Sequence, residues 1–138
     1  KSSAAERSCM KPLTAEWVSK AEGDYVCVSR EWRARKSPNH DALCFHAQQC
    51  AEKYLKACLQ EQGLPFERTH NLSALLDALL PSDPMLDALR PALLQLNVYA
   101  VAFRYPGESA TRNDAQNART LCVSVRSSLR QNLGLAPA

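Results

Sequence analysis

The stretch Ala42 to Gln62, ALCFHAQQCAEKYLKACLQEQ, followed by Gly63, decides how this chain reads. At about 100° per residue, Leu43, Cys44, Ala47, Cys50, Ala51, Tyr54, Leu55, Ala57 and Cys58 share one arc, about half the helix circumference wide. An arc that broad predicts a helix with neighbours on several sides. His46, Gln49, Glu52, Lys53, Lys56 and Gln60 gather into a polar stripe on the remaining arc. Lys53 and Lys56, about a turn apart, are candidates to hold a phosphate. His46 and Gln49 are candidate hydrogen-bond donors, and Glu52 suits either lysine. The plainer reading of the stripe is a solvated face laced with salt bridges.

Working outward, Ser37-Pro38-Asn39 and Asp41 predict the helix start near Pro38 to Asp41. Gly63 ends it and Pro65 prevents its resumption. Upstream, Trp17, Ala21, Tyr25, Val28 and Trp32 recur at helical steps between Thr14 and Arg35, with Glu16, Lys20, Glu22, Asp24 and Arg30 on other faces. Downstream, Asn71 or Ser73 caps a short helix bearing Leu72, Leu75, Leu76, Leu79 and Leu80, which Pro81 closes. A turn from Pro84 to Leu89 precedes a fourth helix with Pro91 in its first turn, running to about Arg104. Tyr105-Pro106-Gly107 breaks it. Thr111 with Asp114 makes a capping box for a last helix, whose core side is Ala115, Ala118, Leu121, Cys122, Val125 and Leu129. Short loops favour antiparallel neighbours, so the expected fold is all-α, an antiparallel up-and-down bundle of four main helices plus one short helix. Residues 1–13 read as an unstructured leader, 14–133 as one helical domain and 134–138 as a short tail.

With 138 residues and 46% hydrophobic content, the chain suits one compact core and is not of disordered composition. No apolar run approaches the roughly 20 residues that span a bilayer, and the expectation is a soluble, cytoplasmic protein. Cys44, Cys50 and Cys58 lie on or beside the apolar arc of one rigid helix, where they cannot bridge one another. Together with Cys27 and Cys122 they read as reduced, buried small hydrophobes. No CxxC pair occurs, and His40, Cys44 and His46 make only a coincidental cluster, so neither metal nor cofactor is expected. The net charge of +3 permits an anionic partner without requiring one.

Three segments carry a resemblance: HAQQCAEKYLKACL at His46 to Leu59, RTHNLSALL at Arg68 to Leu76, and FRYPGE at Phe103 to Glu108. With the tryptophan-bearing first helix, they resemble the HEPN family over about Thr14 to Leu133. The resemblance implies an all-α bundle that commonly forms a homodimer and is often encoded beside a minimal nucleotidyltransferase partner. It also implies a nucleotide or RNA ligand, membership of toxin–antitoxin pairs, or metal-independent ribonuclease activity. The ribonuclease branches carry an Arg, four to six residues and a His near the start of the last helix. Here Arg104 is followed by Tyr105, Pro106, Gly107, Glu108, Ser109 and Ala110, with no histidine. Arg33 and Arg35 stand at permitted spacings before His40, but in the junction between the first two helices.

The candidate ligand residues are therefore His46, Gln49, Lys53, Lys56, Arg68, His70, Arg104 and Tyr105. The last four sit at helix ends, where a bundle gathers side chains around a cleft, although Thr69-His70-Asn71 also suits a cap. Arg112, Arg119, Arg126 and Arg130, spaced seven, seven and four apart, form a ridge suited to a dimer rim, solvent or a phosphate backbone. Three readings follow. The first is a dimeric nucleotide-binding and interaction module. The second is a divergent ribonuclease using Arg104 with His46 or His70. The third is a purely structural scaffold.

Overall fold

The computed structural model describes residues 10–138, so of the leader expected over residues 1–13, residues 1–9 lie outside the described residues, while Pro12 and Leu13 belong to the first helix. The elements are α1 (Pro12–Arg33), α2 (His40–Glu61), α3 (Leu72–Leu79), a 3-10 turn (Pro84–Leu89), α4 (Arg90–Ala102) and α5 (Arg112–Asn132). Among the described residues there is no strand, and the all-α reading stands.

Local chemistry explains the boundaries. α1 begins at Pro12 and not Thr14, because a proline in the first turn lacks only an N–H that would have no helical partner. Asn39 caps α2, its side chain accepting from the Ala42 N–H at 2.9 Å. At the other end Gly63 adopts φ 67°, and the Leu64 N–H reaches back to the Leu59 carbonyl at 3.0 Å. Asn71, not Ser73, caps α3, accepting from the Ser73 N–H at 3.0 Å. The Thr111/Asp114 capping box is formed in full. α4 stops at Ala102, which leaves Arg104 in the turn beyond it.

α2 lies at the centre and packs on all four other helices. Every residue of its predicted apolar arc is buried. α1 runs antiparallel to it, as the ties of Glu31 to Asn39 and of Lys11 to Glu61 show. α5 runs parallel to α2: Asp41 accepts from the Ala110 N–H at one end, and Tyr54 meets Arg130 further along. α3 and α4 are antiparallel, joined by Asn97 to Leu72 and by Arg90 to Asp77. Leu43, Leu55, Leu59, Leu75, Leu76, Leu93, Leu96 and Leu129 fill the middle. Truncating any one of them to alanine is expected to cost about 2–5 kcal/mol.

Cys44, Cys50, Cys58 and Cys122 are buried free thiols, and Cys27 is half-buried. Burial pushes the Cys44 and Cys58 thiols up to about 12, and the contact with Cys122, with burial behind it, raises Cys50. They act as small apolar residues and not as nucleophiles. The tail folds back onto α5: Leu135 is buried, and the carbonyls of Ala136 and Pro137 accept from Arg130 and Arg126.

Candidate functional site

The polar stripe of α2 divides between two neighbours. Towards α1, Asp24 places one carboxylate oxygen on His46 Nδ1 at 2.7 Å and the other on Lys53 Nζ at 2.6 Å. Asp24 is buried, so two donors satisfy a carboxylate that would otherwise be costly to remove from water. Towards α3, Glu52 Oε1 accepts from His70 Nδ1 at 3.0 Å, with Gln48 and Gln49 amides at 3.4 Å. Its other oxygen accepts from Lys56 Nζ at 3.0 Å, and that ammonium also lies 5.4 Å from the centre of the Trp17 ring. Glu52 and Lys56 are buried, against the expectation of a solvated face.

Beside the glutamines and His70 that Glu52 holds opens a cavity of about 580 Å³, lined by Phe45, Gln48, Gln49, His70, Asn71, Asn97, Ala100, Val101 and Arg104. That size falls in the roughly 300–1,000 Å³ range of small-molecule sites. Its walls divide by chemistry. Phe45, Ala100 and Val101 are apolar, the amides form a polar floor, and Arg104 supplies a cation. Among the described residues no carboxylate lies within ion-pair distance of Arg104. Its guanidinium is therefore available to an anionic ligand.

The floor is held in place. Gln48, buried, donates to the His70 carbonyl at 2.9 Å and accepts from Gln49 at 2.8 Å. Asn97 accepts from the Leu72 N–H and donates to Asn71. A carboxylate can only accept, so in the neutral ring Glu52 fixes the proton of His70 on Nδ1 and leaves Nε2 as an acceptor. The His70 side chain is 84% exposed, placing that nitrogen within reach of a ligand.

A second ionic cluster, on the α1–α5 side, is closed. Arg126 makes a two-point contact with Glu22, both bonds 2.7 Å, and Tyr54 also donates to Glu22. Arg130 donates to the Tyr54 hydroxyl at 2.9 Å. Burial pushes the Glu22 carboxyl up, but the hydrogen bonds from Arg126 and Tyr54 and the nearby positive charges outweigh it and hold the group below its ordinary range. The bond to Glu22 in turn raises Arg126 against the opposing effect of burial. Tyr54 is raised by burial first and by Glu22 second.

Of the residues expected to bind a ligand, Gln49, His70 and Arg104 meet on this cavity. His46 and Lys53 are committed to Asp24, and Lys56 is committed to Glu52. Arg68 and Tyr105 are exposed and do not line it. Sequence reasoning missed Phe45, Gln48 and Asn97 as lining residues and Asp24 as the partner of the stripe. For Asp24 there was a signal: it stands at helical spacing from Ala21 and Val28, on the buried side of α1. The arginine ridge also divides, with Arg126 and Arg130 used internally and Arg112 and Arg119 lying over the Trp32 ring.

The chain is thus a helical bundle around a central helix, with an amide-floored cleft that holds a histidine and an arginine. The model of the HEPN domain matches residues 14–131, nearly the whole described chain, and the protein belongs to that family. The family comprises nucleotide-binding and ribonuclease-like modules. No curated protein and no solved structure matches the chain.

Proposed function

We propose that this protein is a homodimeric HEPN module that binds a nucleotide or other phosphate-bearing ligand in the Arg104 cleft and acts with a nucleotidyltransferase partner. The setting would be a toxin–antitoxin or similar two-component system. The observation that carries the ligand reading is the convergence of Arg104, His70 and the fixed amides on one cavity with an apolar wall. The guanidinium suits the phosphate, the amides suit a base or ribose, and Phe45 offers an aromatic face. The dimer reading is supported by α4, whose Leu94, Val98 and Val101 remain about half exposed on the side away from the core. Val101 also lines the cleft, so a second copy seated there would bring two clefts close together. The nucleotidyltransferase partner rests on the family resemblance alone. Calorimetric titration with a nucleoside monophosphate tests the ligand. Saturable binding that falls at least tenfold in Arg104→Ala supports it, and no binding by the wild type overturns it.

The Glu52–His70 pair favours one further reading, a metal-independent ribonuclease using Arg104 with His70. His70 Nε2 would take the proton of a 2′-hydroxyl as that oxygen attacks the adjacent phosphorus and the bond from phosphorus to the 5′-oxygen breaks, giving a 2′,3′-cyclic phosphate and a 5′-hydroxyl protonated from water, while Arg104 meets the charge growing on the phosphate. His46, bound to Asp24 and outside the cleft, has no such position. RNA cleavage in chelator-containing buffer, lost in both His70→Ala and Arg104→Ala, supports this reading. Cleavage that survives both substitutions overturns it.

A further inference from the structure

We infer that the end of the bundle where α1 stops and α5 starts is a docking surface for the phosphate backbone of a single-stranded nucleic acid, separate from the Arg104 cleft. Arg30 and Arg33 close α1, Arg35 and Lys36 follow it, and Arg112 and Arg119 lie on the first turns of α5. The bond from the Ala110 N–H to Asp41 ties the start of α2 to the segment before α5, which gathers these elements at one end. Against these six cations the same end carries four carboxylates, Glu31, Asp41, Glu108 and Asp114, which leaves it a net charge of +2 out of the chain's +3.

The cations are also not engaged in direct pairs. Among the described residues, none of the six lies within ion-pair distance of a carboxylate. The acidic side chains of this end are occupied with backbone N–H groups: Glu31 with Asn39 at 2.7 Å, Asp41 with Ala110 at 2.7 Å, and Asp114 with Thr111 at 2.9 Å. Glu108, in the loop leading into α5, is exposed and makes no ion pair. The contrast lies within one helix, since Arg126 and Arg130 further along α5 are consumed by Glu22 and Tyr54.

Three features select a nucleic acid strand over an acidic protein face. All but Lys36 are arginines, whose planar fork matches a phosphate. Arg112 and Arg119 are held over the half-buried Trp32 ring, their guanidinium carbons 4.6 and 5.6 Å from its centre. Packing on the ring restrains both side chains before a ligand arrives, so less freedom is lost on binding. Guanidinium planes beside an indole also form a stacking surface for unpaired bases, which a duplex withholds and an acidic protein lacks. Along α5 the two arginines are about 10 Å apart, enough to follow a strand past more than one phosphate.

The test is fluorescence anisotropy of a labelled single-stranded RNA of about 12 nucleotides, in chelator, between about 50 and 200 mM salt. If about four of the six cations are engaged, the affinity falls about 50-fold over that range. The triple variant Arg33→Glu, Arg35→Glu, Lys36→Glu is expected to weaken binding at least tenfold and flatten the salt dependence. Arg112→Gln with Arg119→Gln is expected to weaken it severalfold, which keeps the proposal testable if the triple variant misfolds. Lys20→Glu, an exposed charge elsewhere on α1, is expected to change it less than twofold. Arg104→Ala is expected to weaken mononucleotide binding at least tenfold while leaving strand binding in place, which separates this surface from the cleft. The proposal is overturned by no binding at low salt, by equal loss in Lys20→Glu, or by competition from polyglutamate as effective as that from unlabelled RNA.

Discussion

The two sides of α2 use the same residue types to opposite ends. Towards α1 and α5, Glu22, Arg126, Tyr54 and Arg130 close on one another, and Asp24 closes on His46 and Lys53. Towards α3 and α4, Glu52 holds His70 and two glutamines in place, yet Arg104 and His70 Nε2 are left without side-chain partners among the described residues. A charged side chain fully satisfied inside the fold contributes to stability or to the uniqueness of packing. One that is oriented but unsatisfied is prepared for something outside it. The difference lies in what the neighbouring helix offers, not in the residue.

The largest effect should come from breaking the closed side. Arg126→Met leaves Glu22 without its two-point partner at a site where Arg126 itself is buried, and about 3 kcal/mol of stability is expected to be lost. Chemical denaturation reads this directly, and nucleotide affinity should not move. A pH series sharpens the point. The Glu22 carboxyl titrates lower in the folded chain than in the unfolded one, so its contribution is complete above the ordinary carboxylate range. That contribution is lost as pH falls through the lowered value. The stability gap between wild type and Glu22→Gln should therefore be widest near neutrality and close in acid. A gap that stayed constant would mean the ion pair is not its source.

Glu52→Gln probes the residue that belongs to both behaviours. Its carboxylate is buried and paired with Lys56, so about 2 kcal/mol of stability should go. It also positions the cleft, because an amide in its place presents a donor where His70, Gln48 and Gln49 now find an acceptor. Nucleotide affinity should fall about fivefold as well, equivalent to about 1 kcal/mol. Loss of stability with unchanged affinity would show that the floor does not touch the ligand. Arg104→Ala should behave in the reverse way. It is expected to lose about 10- to 100-fold in nucleotide affinity, with stability within about 0.5 kcal/mol of wild type, since the arginine is exposed and bonded to no carboxylate.

The helices were legible because their signals are local. The arc from Leu43 to Cys58, the proline and glycine breaks and the Thr111/Asp114 box each depend on residues a few positions apart. The site was legible only in part, because it depends on which faces meet. His70 and Arg104 were found from their places at helix ends, and Gln49 from the stripe. Lys53 and Lys56 were assigned to a ligand because nothing beside them in sequence reveals that Asp24, 29 positions earlier, already holds the first of them. Lys56 illustrates the limit differently: its partner Glu52 was visible one turn away, but the burial of the pair depends on Trp17 from another helix. Glu22 and Arg126, 104 positions apart, lie beyond any helical periodicity.

The smallest effect tests whether the α1 side is as closed as its geometry. Asp24 takes one donor on each oxygen, so removing His46 leaves the carboxylate its bond to Lys53 and some access to water through the space vacated by the ring. His46→Ala should therefore cost only about 1 kcal/mol, well below the cost of an isolated buried charge. It should leave nucleotide binding, and any RNA cleavage, at the wild-type level, since the histidine lies outside the cleft. Lys53→Ala alone should cost a similar amount, and the double substitution more than the sum, because only then does Asp24 lose both donors. Simple additivity would mean that water already serves the carboxylate. Loss of binding or cleavage in His46→Ala would be more damaging, for it would make the Asp24 cluster part of the functional site and erase the distinction between the two sides of α2.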